Sequence, residues 1–200
     1  MKSGLKKYGC DLTLDPNTAN SYLSLSEENR RVERGEEQSY PDHPERFDRW
    51  PQVLSREGVT GRCYWEAEWS GGDAEVALSY KTISRKGGGS DSLFGGNEKS
   101  WSLEINNNSY SVHHNKHRTD LPPPPSPSNR VGVYVDCPAG TLSFYNISSH
   151  THTPSSHTPT HTPSHTQTLT HLHTFYTTFT EPLYAGFYVN YGSVHLCDIE

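Results

Sequence analysis

Short runs of alternating apolar and polar residues dominate the chain, and they follow the two-residue period of half-buried β-strands. The clearest run is Gly61–Trp69. Its two faces are Tyr64, Glu66 and Glu68 on one side and Cys63, Trp65, Ala67 and Trp69 on the other. Elsewhere apolar residues do not recur at helical spacing, and Gly, Pro, Asn and Asp separate the runs. The pattern predicts an all-β chain.

The alternating runs predict strands along most of the chain. They lie at Cys10–Leu14, Tyr22–Leu25, Arg31–Arg34, Cys63–Trp69, Glu75–Tyr80, Ser100–Ile105, Ser109–His113, Arg130–Val135, Thr141–Asn146, His171–Tyr176, Leu183–Val189 and Val194–Cys197. Many short strands at this spacing are typical of an antiparallel sandwich or barrel. The segment Asp136–Gly140 predicts a hairpin loop in which Gly140 supplies the positive φ that closes the turn.

Two long connections separate the predicted strands. Residues 81–99 are rich in glycine, which a flexible loop tolerates and a strand does not. These glycines fit neither phosphate-binding pattern, because no Lys-Ser/Thr follows them and their spacing is not Gly-x-Gly-x-x-Gly. Residues 114–129 are rich in proline and favour polyproline II. We interpret them as a stiff connector rather than a ligand for an SH3 or WW domain.

A third stretch, residues 148–168, consists only of Ser, Thr, His, Pro and Gln. It has no apolar residue to offset the entropy of ordering, and its prolines interrupt any regular helix. We therefore predict a disordered, low-complexity insertion between two strands. Histidine-rich tracts attract Zn²⁺, Ni²⁺ or Cu²⁺, but a specific site needs a fixed geometry, so no metal site is predicted.

The composition narrows the class of partner. The chain has 200 residues, which is enough for one domain with a substantial core. Only 31% of the residues are hydrophobic and the mean hydropathy is -0.82, so part of the chain must lie outside that core. A net charge of -6 without a large basic cluster argues against nucleic acid or an anionic membrane as partner.

The cysteines and the amino terminus bear on the cellular compartment. Cys10, Cys63, Cys137 and Cys197 form no Cys-x-x-Cys pair, which argues against a zinc ribbon or a thioredoxin-like motif. We interpret them as reduced, mostly buried thiols, although nothing in the sequence excludes disulfide bonds. The first ten residues lack the apolar core of a signal peptide, and no apolar run is long enough for a membrane helix. We therefore expect a cytoplasmic protein.

Catalytic motifs are absent from the sequence. No Gly-x-Ser-x-Gly elbow occurs. Glu66 and Glu68 share one strand face and could mimic a catalytic carboxylate pair, but such a face is more often solvated or paired with an arginine such as Arg62. No catalytic residue is predicted.

A sugar-binding sandwich is an alternative from another functional class. Its aromatic platform and polar groups would be Trp101, Tyr110, Tyr188 and Asn190. Tryptophans on alternating strands usually lie in the core. Trp65, Trp69 and Trp101 can therefore be interpreted as core residues instead of a sugar-binding surface.

Two groups of motifs, in one order along the chain, resemble the PRY-SPRY (B30.2) family. The PRY resemblance is carried by Asp11–Ala19, Tyr22–Ser26, Pro44–Phe47 and Val53–Leu54. The SPRY resemblance is carried by Gly61–Glu68, Ser100–Leu103, Arg130–Asp136, Gly140–Asn146 and Phe179–Tyr184. It implies a PRY segment at 10–58 and a SPRY segment at 59–198, together forming one bent antiparallel β-sandwich. The hairpin Asp-Cys-Pro-Ala-Gly departs from the usual Asp-Tyr-Glu-Ala-Gly and looks like versions in bony-fish immune receptors and stonefish-type toxins.

The resemblance also implies a function, which is non-catalytic recognition of a partner protein through variable loops, without a cofactor. Family members occur in tripartite-motif ubiquitin ligases, butyrophilins and fish NACHT receptors, which suggests substrate recognition or innate immunity. The targeting domain of a pore-forming toxin is an alternative. By resemblance, the candidate partner-binding residues are Tyr40, Asp42, Trp50, Phe94, Trp101, Phe187, Tyr188 and Asn190.

Overall fold

The computed structural model describes residues 4–152 and 164–199, and this part of the chain is almost entirely β-structure. The strands are β1 (Leu23–Ser26), β2 (Arg31–Arg34), β3 (Gln52–Val59), β4 (Arg62–Trp69), β5 (Asp73–Tyr80), β6 (Ser100–Asn106), β7 (Ser109–His114), β8 (His117–Leu121), β9 (Arg130–Asp136), β10 (Thr141–His152), β11 (Ser164–Tyr176), β12 (Leu183–Tyr188) and β13 (Ser193–Leu196). Two 3₁₀ helices span Gly4–Tyr8 and Ser90–Ser92. No helix in the described ranges is long and apolar enough to cross a membrane.

The strands form two antiparallel sheets. The seven-stranded sheet has the order β1-β2-β13-β4-β9-β10-β11, and the six-stranded sheet has the order β3-β12-β5-β6-β7-β8. The predicted β-sandwich is therefore confirmed. Strands from the first 59 residues enter both sheets, because β2 pairs with β13 and β3 pairs with β12.

The main core fills the space between the two sheets, and the alternation in the sequence decides which side chains enter it. On β4 the inward residues are Cys63, Trp65, Ala67 and Trp69, and on β5 they are Ala74, Val76, Leu78 and Tyr80. Trp65 of one sheet meets Phe187 of the other edge to face, with ring centroids 5.8 Å apart. Aromatic contacts of this kind fix the relative position of the sheets.

A second, smaller core lies on the outer face of the six-stranded sheet. It consists of Phe47, Leu54, Ala77, Ile83 and Phe94. It therefore fastens the loop before β3 and the loop of residues 81–99 to the sheet.

Buried polar groups complete the attachment of the 81–99 loop, which is consequently not the freely flexible connection that its glycines suggest. The Gln52 side chain donates to the carbonyl of Ser92 at 2.7 Å and accepts from the backbone N–H of Phe94 at 2.9 Å. The Arg85 guanidinium donates to three carbonyls, among them that of Glu45 at 2.5 Å. Each bond satisfies a group that would otherwise be costly to bury.

The structure differs from the predicted strands at three places. Cys10–Leu14 is not a strand, because it crosses from one sheet to the other: Gly9 bridges to Tyr64 and Leu14 bridges to Ser55. The sequence analysis missed β3 and β8. The β8 strand is exposed on both faces and so shows no alternation, and it ends at Leu121 just before the proline run.

The β10–β11 hairpin reaches further into the stretch 148–168 than the sequence predicts. The two strands pair as far as His152 opposite Ser164. Ladder hydrogen bonds come from the backbone, so polar residues can extend a hairpin whose base is apolar. Residues 153–163, which carry most of the predicted disordered insertion, lie outside the described residues.

The cysteines differ from the prediction of four reduced thiols. Cys10 and Cys63 form a disulfide bond, with their Cα atoms 5.6 Å apart, while Cys137 and Cys197 are free. The bond joins the crossing segment to β4, a proximity that the linear sequence does not show. Burial raises the pKa of Cys137 and raises that of Cys197 to about 11, so neither thiol is a strong nucleophile at neutral pH.

Candidate functional site

A groove of about 490 Å³ opens on the outer face of the six-stranded sheet. Its walls come from the segment before β3, the 81–99 loop and the segment after β12, and its floor comes from β5, β6 and β7. The second core places these loops beside the sheet and leaves the groove between them.

Two partly exposed aromatic residues form one wall of the groove. The rings of Trp50 and Tyr188 have centroids 6.3 Å apart. The indole N–H of Trp50 donates to the carbonyl of Gly89 at 3.0 Å, which joins this wall to the 81–99 loop. Aromatic rings held in this way offer a large contact area at little entropic cost.

The 81–99 loop lies directly on the sheet at the edge of the groove. Gly95 has a φ of 82°, and a Cβ added there would lie 2.6 Å from Ser102 Oγ. Only glycine allows this approach. Beneath the loop, Phe94 is 2% exposed and packs edge to face on Phe47, so it supports the groove from below.

The floor of the groove carries a pair of carboxylates. Glu75 of β5 and Glu104 of β6 lie directly opposite each other in the antiparallel register. Burial, and then the charge of Glu104, raise the pKa of Glu75 to about 8. The ring of His113 lies 3.5 Å from Glu104, and burial lowers the pKa of His113, so the imidazole is neutral at pH 7.

The mouth of the groove is polar. The Tyr191 hydroxyl donates to Asp73 at 2.7 Å, and Lys116 and Asn190 also line the groove. The lining of the groove therefore contains three acidic residues, Asp73, Glu75 and Glu104, and one lysine.

Four of the predicted partner-binding residues meet in the groove. Trp50, Phe94, Tyr188 and Asn190 come from three separate parts of the chain and lie around one cavity, although Phe94 is 2% exposed and supports the groove rather than offering a contact surface. No observation tests whether they bind a partner, so their role stays a prediction.

Two predicted residues lie outside the groove. Tyr40 donates its hydroxyl to the carbonyl of Leu23 at 2.7 Å and stacks on the Arg46 guanidinium, so it supports the PRY segment. Asp42 is exposed and lies 3.4 Å from the ammonium group of Lys86.

The structure corrects two further predicted site residues, Trp101 and Phe187. Trp101 is 2% exposed, stacks on His114 and packs edge to face on Tyr80 and Phe179. Phe187 is fully buried against Trp65. Both point into the main core because they occupy inward positions of their strands, so neither can contact a partner.

The same burial argues against the sugar-binding platform as it was predicted. Trp101 and Tyr110 are core residues, while Tyr188 and Asn190 lie in the groove on the other face of the sheet. The four residues therefore do not form one surface. Trp65 and Trp69 also lie in the core, as their alternation indicates.

Sequence reasoning missed the residues of the groove floor, namely Glu75, Glu104, His113 and Lys116. Glu75 and Glu104 sit at outward positions between inward apolar residues, and this signal was visible in the sequence. What the sequence does not show is that β12, β5, β6 and β7 lie side by side.

The polar face of β4 was expected to be solvated or paired with an arginine such as Arg62, and Glu66 is paired with an arginine, although not with Arg62. Glu66 is 1% exposed and pairs with Arg130, whereas Arg62 pairs with Asp136.

Across the described part of the chain, no cluster of three or more His, Cys, Asp or Glu is arranged to hold a metal ion. Two of the five histidines of the low-complexity stretch, His157 and His161, fall outside that part.

The chain is a two-sheet β-sandwich with a groove on the outer face of its six-stranded sheet, and comparison with known proteins identifies its family. The family model of the SPRY-associated domain, PRY, matches residues 12–59, and that of the SPRY domain matches residues 62–197. The chain belongs to the PRY-SPRY family. This family is generally a non-catalytic, protein-binding module, and the chain has its fold.

The relatives fall into two kinds of larger protein. The chain is 44% identical to stonustoxin subunit beta of Synanceia horrida over 74% of its own length and 22% of that protein. It is 38% identical to tripartite motif-containing protein 16 of Mus musculus over 92% of its own length and 30% of that protein. The chain thus spans less than a third of either relative.

Solved structures of a stonefish toxin and of a TRIM protein also resemble the chain. The stonustoxin structure matches 96% of the chain at a TM-score of 0.79 and 39% identity, and the chain covers 28% of it. The TRIM65 PSpry domain matches 97% of the chain at a TM-score of 0.76 and 27% identity, and the chain covers 93% of it.

Proposed function

We propose that this domain recognises a partner protein by docking a segment of it into the groove between Trp50, the 81–99 loop and Tyr188. The observation that supports the proposal is the aromatic wall, which remains partly exposed although its backbone is fastened by the second core. A rigid scaffold that presents aromatic side chains around a concavity is a common design of protein interfaces.

In a longer protein of the tripartite-motif type, such a domain would select the substrate of a ubiquitin ligase, for example in innate immunity. The 38% identity to tripartite motif-containing protein 16 supports this context. A cytoplasmic location belongs to the same proposal, and free thiols at Cys10 and Cys63 in protein isolated from cells would support it.

A second context is favoured by a specific observation, the disulfide bond between Cys10 and Cys63. Disulfides persist in oxidising compartments and are rare in the cytosol. Together with the 44% identity to stonustoxin subunit beta, the bond supports an extracellular targeting domain as the second candidate. Both contexts use the domain for recognition and differ in the protein that carries it.

Affinity capture from extracts of the tissue that expresses the gene tests the proposed groove. Three baits are compared: the wild-type domain, the Tyr188→Ala variant and a control variant, Tyr176→Ala. Tyr176 suits the control because its side chain is 80% exposed at the end of β11, in the other sheet. We expect a partner that Tyr188→Ala loses and Tyr176→Ala retains. A partner that both folded variants retain would place the binding surface elsewhere.

A further inference from the structure

One row of outward side chains crosses the floor of the groove. In the antiparallel register Tyr188 of β12 lies opposite Glu75, Glu75 lies opposite Glu104, and Glu104 lies opposite Ser111 of β7. Neighbouring strands are about 4.8 Å apart, so the two carboxylates lie side by side next to an aromatic ring. The ring of Trp50 lies beside that ring, with the two centroids 6.3 Å apart.

The carboxylates of this row lack a cationic partner. In the described part of the chain, neither Glu75 nor Glu104 has a Lys or Arg ion-pair partner, and Glu104 meets the neutral His113 ring. A third acidic group, Asp73, has its Oδ1 atom buried without a hydrogen-bond partner among the described residues. Burial and the charge of Glu104 make it costly to ionise Glu75 beside Glu104, and a ligand that brings a positive charge removes this cost.

We propose that the groove binds a basic side chain of the partner protein, an arginine or lysine, with its cationic group between Glu75 and Glu104 and its stem against Trp50 and Tyr188. This inference rests on the proposed function and names the chemistry of its partner. A guanidinium is the better fit, because its planar fork can donate to two carboxylates and its face can stack on an aromatic ring.

Protonation of Glu75 makes the inference testable through pH. With a pKa of about 8, Glu75 is mostly protonated at pH 7 in the empty groove, and a bound cation would displace that proton. Affinity should therefore rise with pH and level off above about 8.

The charged or titratable groups around Glu75 on the neighbouring elements are Asp73, Glu104, His113, Lys116, Arg118, Asp120, Tyr188 and Arg34. The pKa of His113 is lowered and that of Tyr188 is raised, mainly by burial, so neither group changes its charge in this range and Glu75 dominates the change.

A random nonapeptide library displayed on phage supplies the probe, panned against the full chain at pH 8.5. We expect the selected peptides to be enriched in arginine or lysine. Replacing that arginine by citrulline, which keeps the shape and removes the charge, should weaken binding about tenfold or more. Glu75→Gln combined with Glu104→Gln should weaken binding to a similar extent, whereas the control Glu68→Gln, on the other sheet, should not.

The pH profile separates a cationic ligand from a neutral one. Between pH 7 and 8.5, affinity for a selected peptide should rise roughly five- to tenfold in the wild type, as the ionised fraction of Glu75 grows, and stay flat in Glu75→Gln. Selected peptides that lack a basic residue but fail to bind Tyr188→Ala would overturn this inference and leave the proposed groove standing. Peptides that bind Tyr188→Ala unchanged, or a library without any selected peptide, would count against both.

Discussion

The carboxylate of Glu66 shows how one side chain can tie strands together on a face that the sequence marks as polar. It accepts from the Arg130 guanidinium on β9, with one contact at 2.9 Å, and from the Tyr64 hydroxyl at 2.6 Å. Burial and the hydrogen bond to Glu66 raise the pKa of Tyr64. Both carboxylate oxygens accept from neighbours within the sheet, Oε1 from Arg130 and Oε2 from Tyr64, so Glu66 acts as a structural group.

Replacing Glu66 by alanine should therefore be strongly destabilising. The change removes the partner of a largely buried arginine, and we expect the free energy of unfolding to fall by about 3 kcal/mol. Glu68→Ala, two residues along the same strand, is the control, because its pair with His195 is partly exposed and should cost about 0.5 kcal/mol or less. Urea unfolding of the two variants measures the difference, and equal losses would contradict the role assigned to Glu66.

Glu75 should make stability depend on pH. The folded domain holds its proton up to about pH 8, whereas the unfolded chain releases it near the ordinary value of 4.5. Between these values the folded state binds more protons, so this group lowers the free energy of unfolding as pH rises. The stability of Glu75→Gln relative to the wild type should increase from about pH 5 to 8 and then level off. Parallel stability curves in urea titrations at each pH would show that the pKa is not raised.

At the scale of elements, the β9–β10 hairpin depends on the conformation of one residue. Gly140 has a φ of 72°, and a Cβ there would collide with the carbonyl oxygen of Thr177. The segment Asp136–Gly140 thus turns as its sequence predicts, and the close approach of Thr177 adds a tertiary reason for glycine.

Gly140→Ala should destabilise the domain by about 1–3 kcal/mol, because it combines a strained backbone with a backbone clash. Gly61→Ala, in the turn between β3 and β4, is a matched control with no atom within 4 Å of the added Cβ and no positive φ. We expect the control to stay within about 1 kcal/mol of the wild type. Thermal unfolding of both variants measures the effect, and a neutral Gly140→Ala would refute the clash.

The Cys10–Cys63 bond should stabilise the domain by fastening the crossing segment to β4. It closes a loop with a sequence separation of 53 residues, for which restriction of the unfolded chain gives about 2–4 kcal/mol. Reductant should lower the free energy of unfolding of the wild type by this amount. It should leave the double variant Cys10→Ser/Cys63→Ser unchanged. A wild type insensitive to reductant, with four thiols that react with an alkylating reagent, would show that the bond does not form.

At the scale of the molecule, the PRY and SPRY segments share one core and one pair of sheets. Leu14, Leu23 and Val53 from the first segment belong to the same cluster as Trp65 and Phe187 from the second. The groove is shared as well, because Trp50 precedes β3 while Tyr188 ends β12. The recognition surface therefore exists only when both segments are folded together.

A chain of residues 60–198 alone should consequently fail to fold. It lacks β3, the partner of β12, and β2, the partner of β13, and so exposes core residues and two unpaired strand edges. We expect no cooperative thermal transition for this fragment, and recovery of one when residues 1–59 are co-expressed as a separate chain. A fragment that unfolds cooperatively by itself would show that the SPRY segment is an independent domain.

Much of the fold follows from the sequence alone, because the two-residue alternation reports which side of a strand is buried. Eleven of the thirteen strands in the described part overlap a predicted strand. The exceptions are informative. The exposed edge strand β8 has no alternation to detect, and Cys10–Leu14 has the alternation of a strand but bridges two sheets.

The candidate site was decided by tertiary structure. The family resemblance pointed to Trp50 and Tyr188, which line the groove, but it pointed equally to Trp101 and Phe187, which are buried in the main core. It also gave no sign that Glu75 and Glu104 are neighbours, or that Cys10 meets Cys63. Alternation along a strand is a local property, whereas the order of strands in a sheet depends on contacts between distant residues. For this reason the sequence by itself determined the kind of fold, and only the folded chain determined which side chains share a groove.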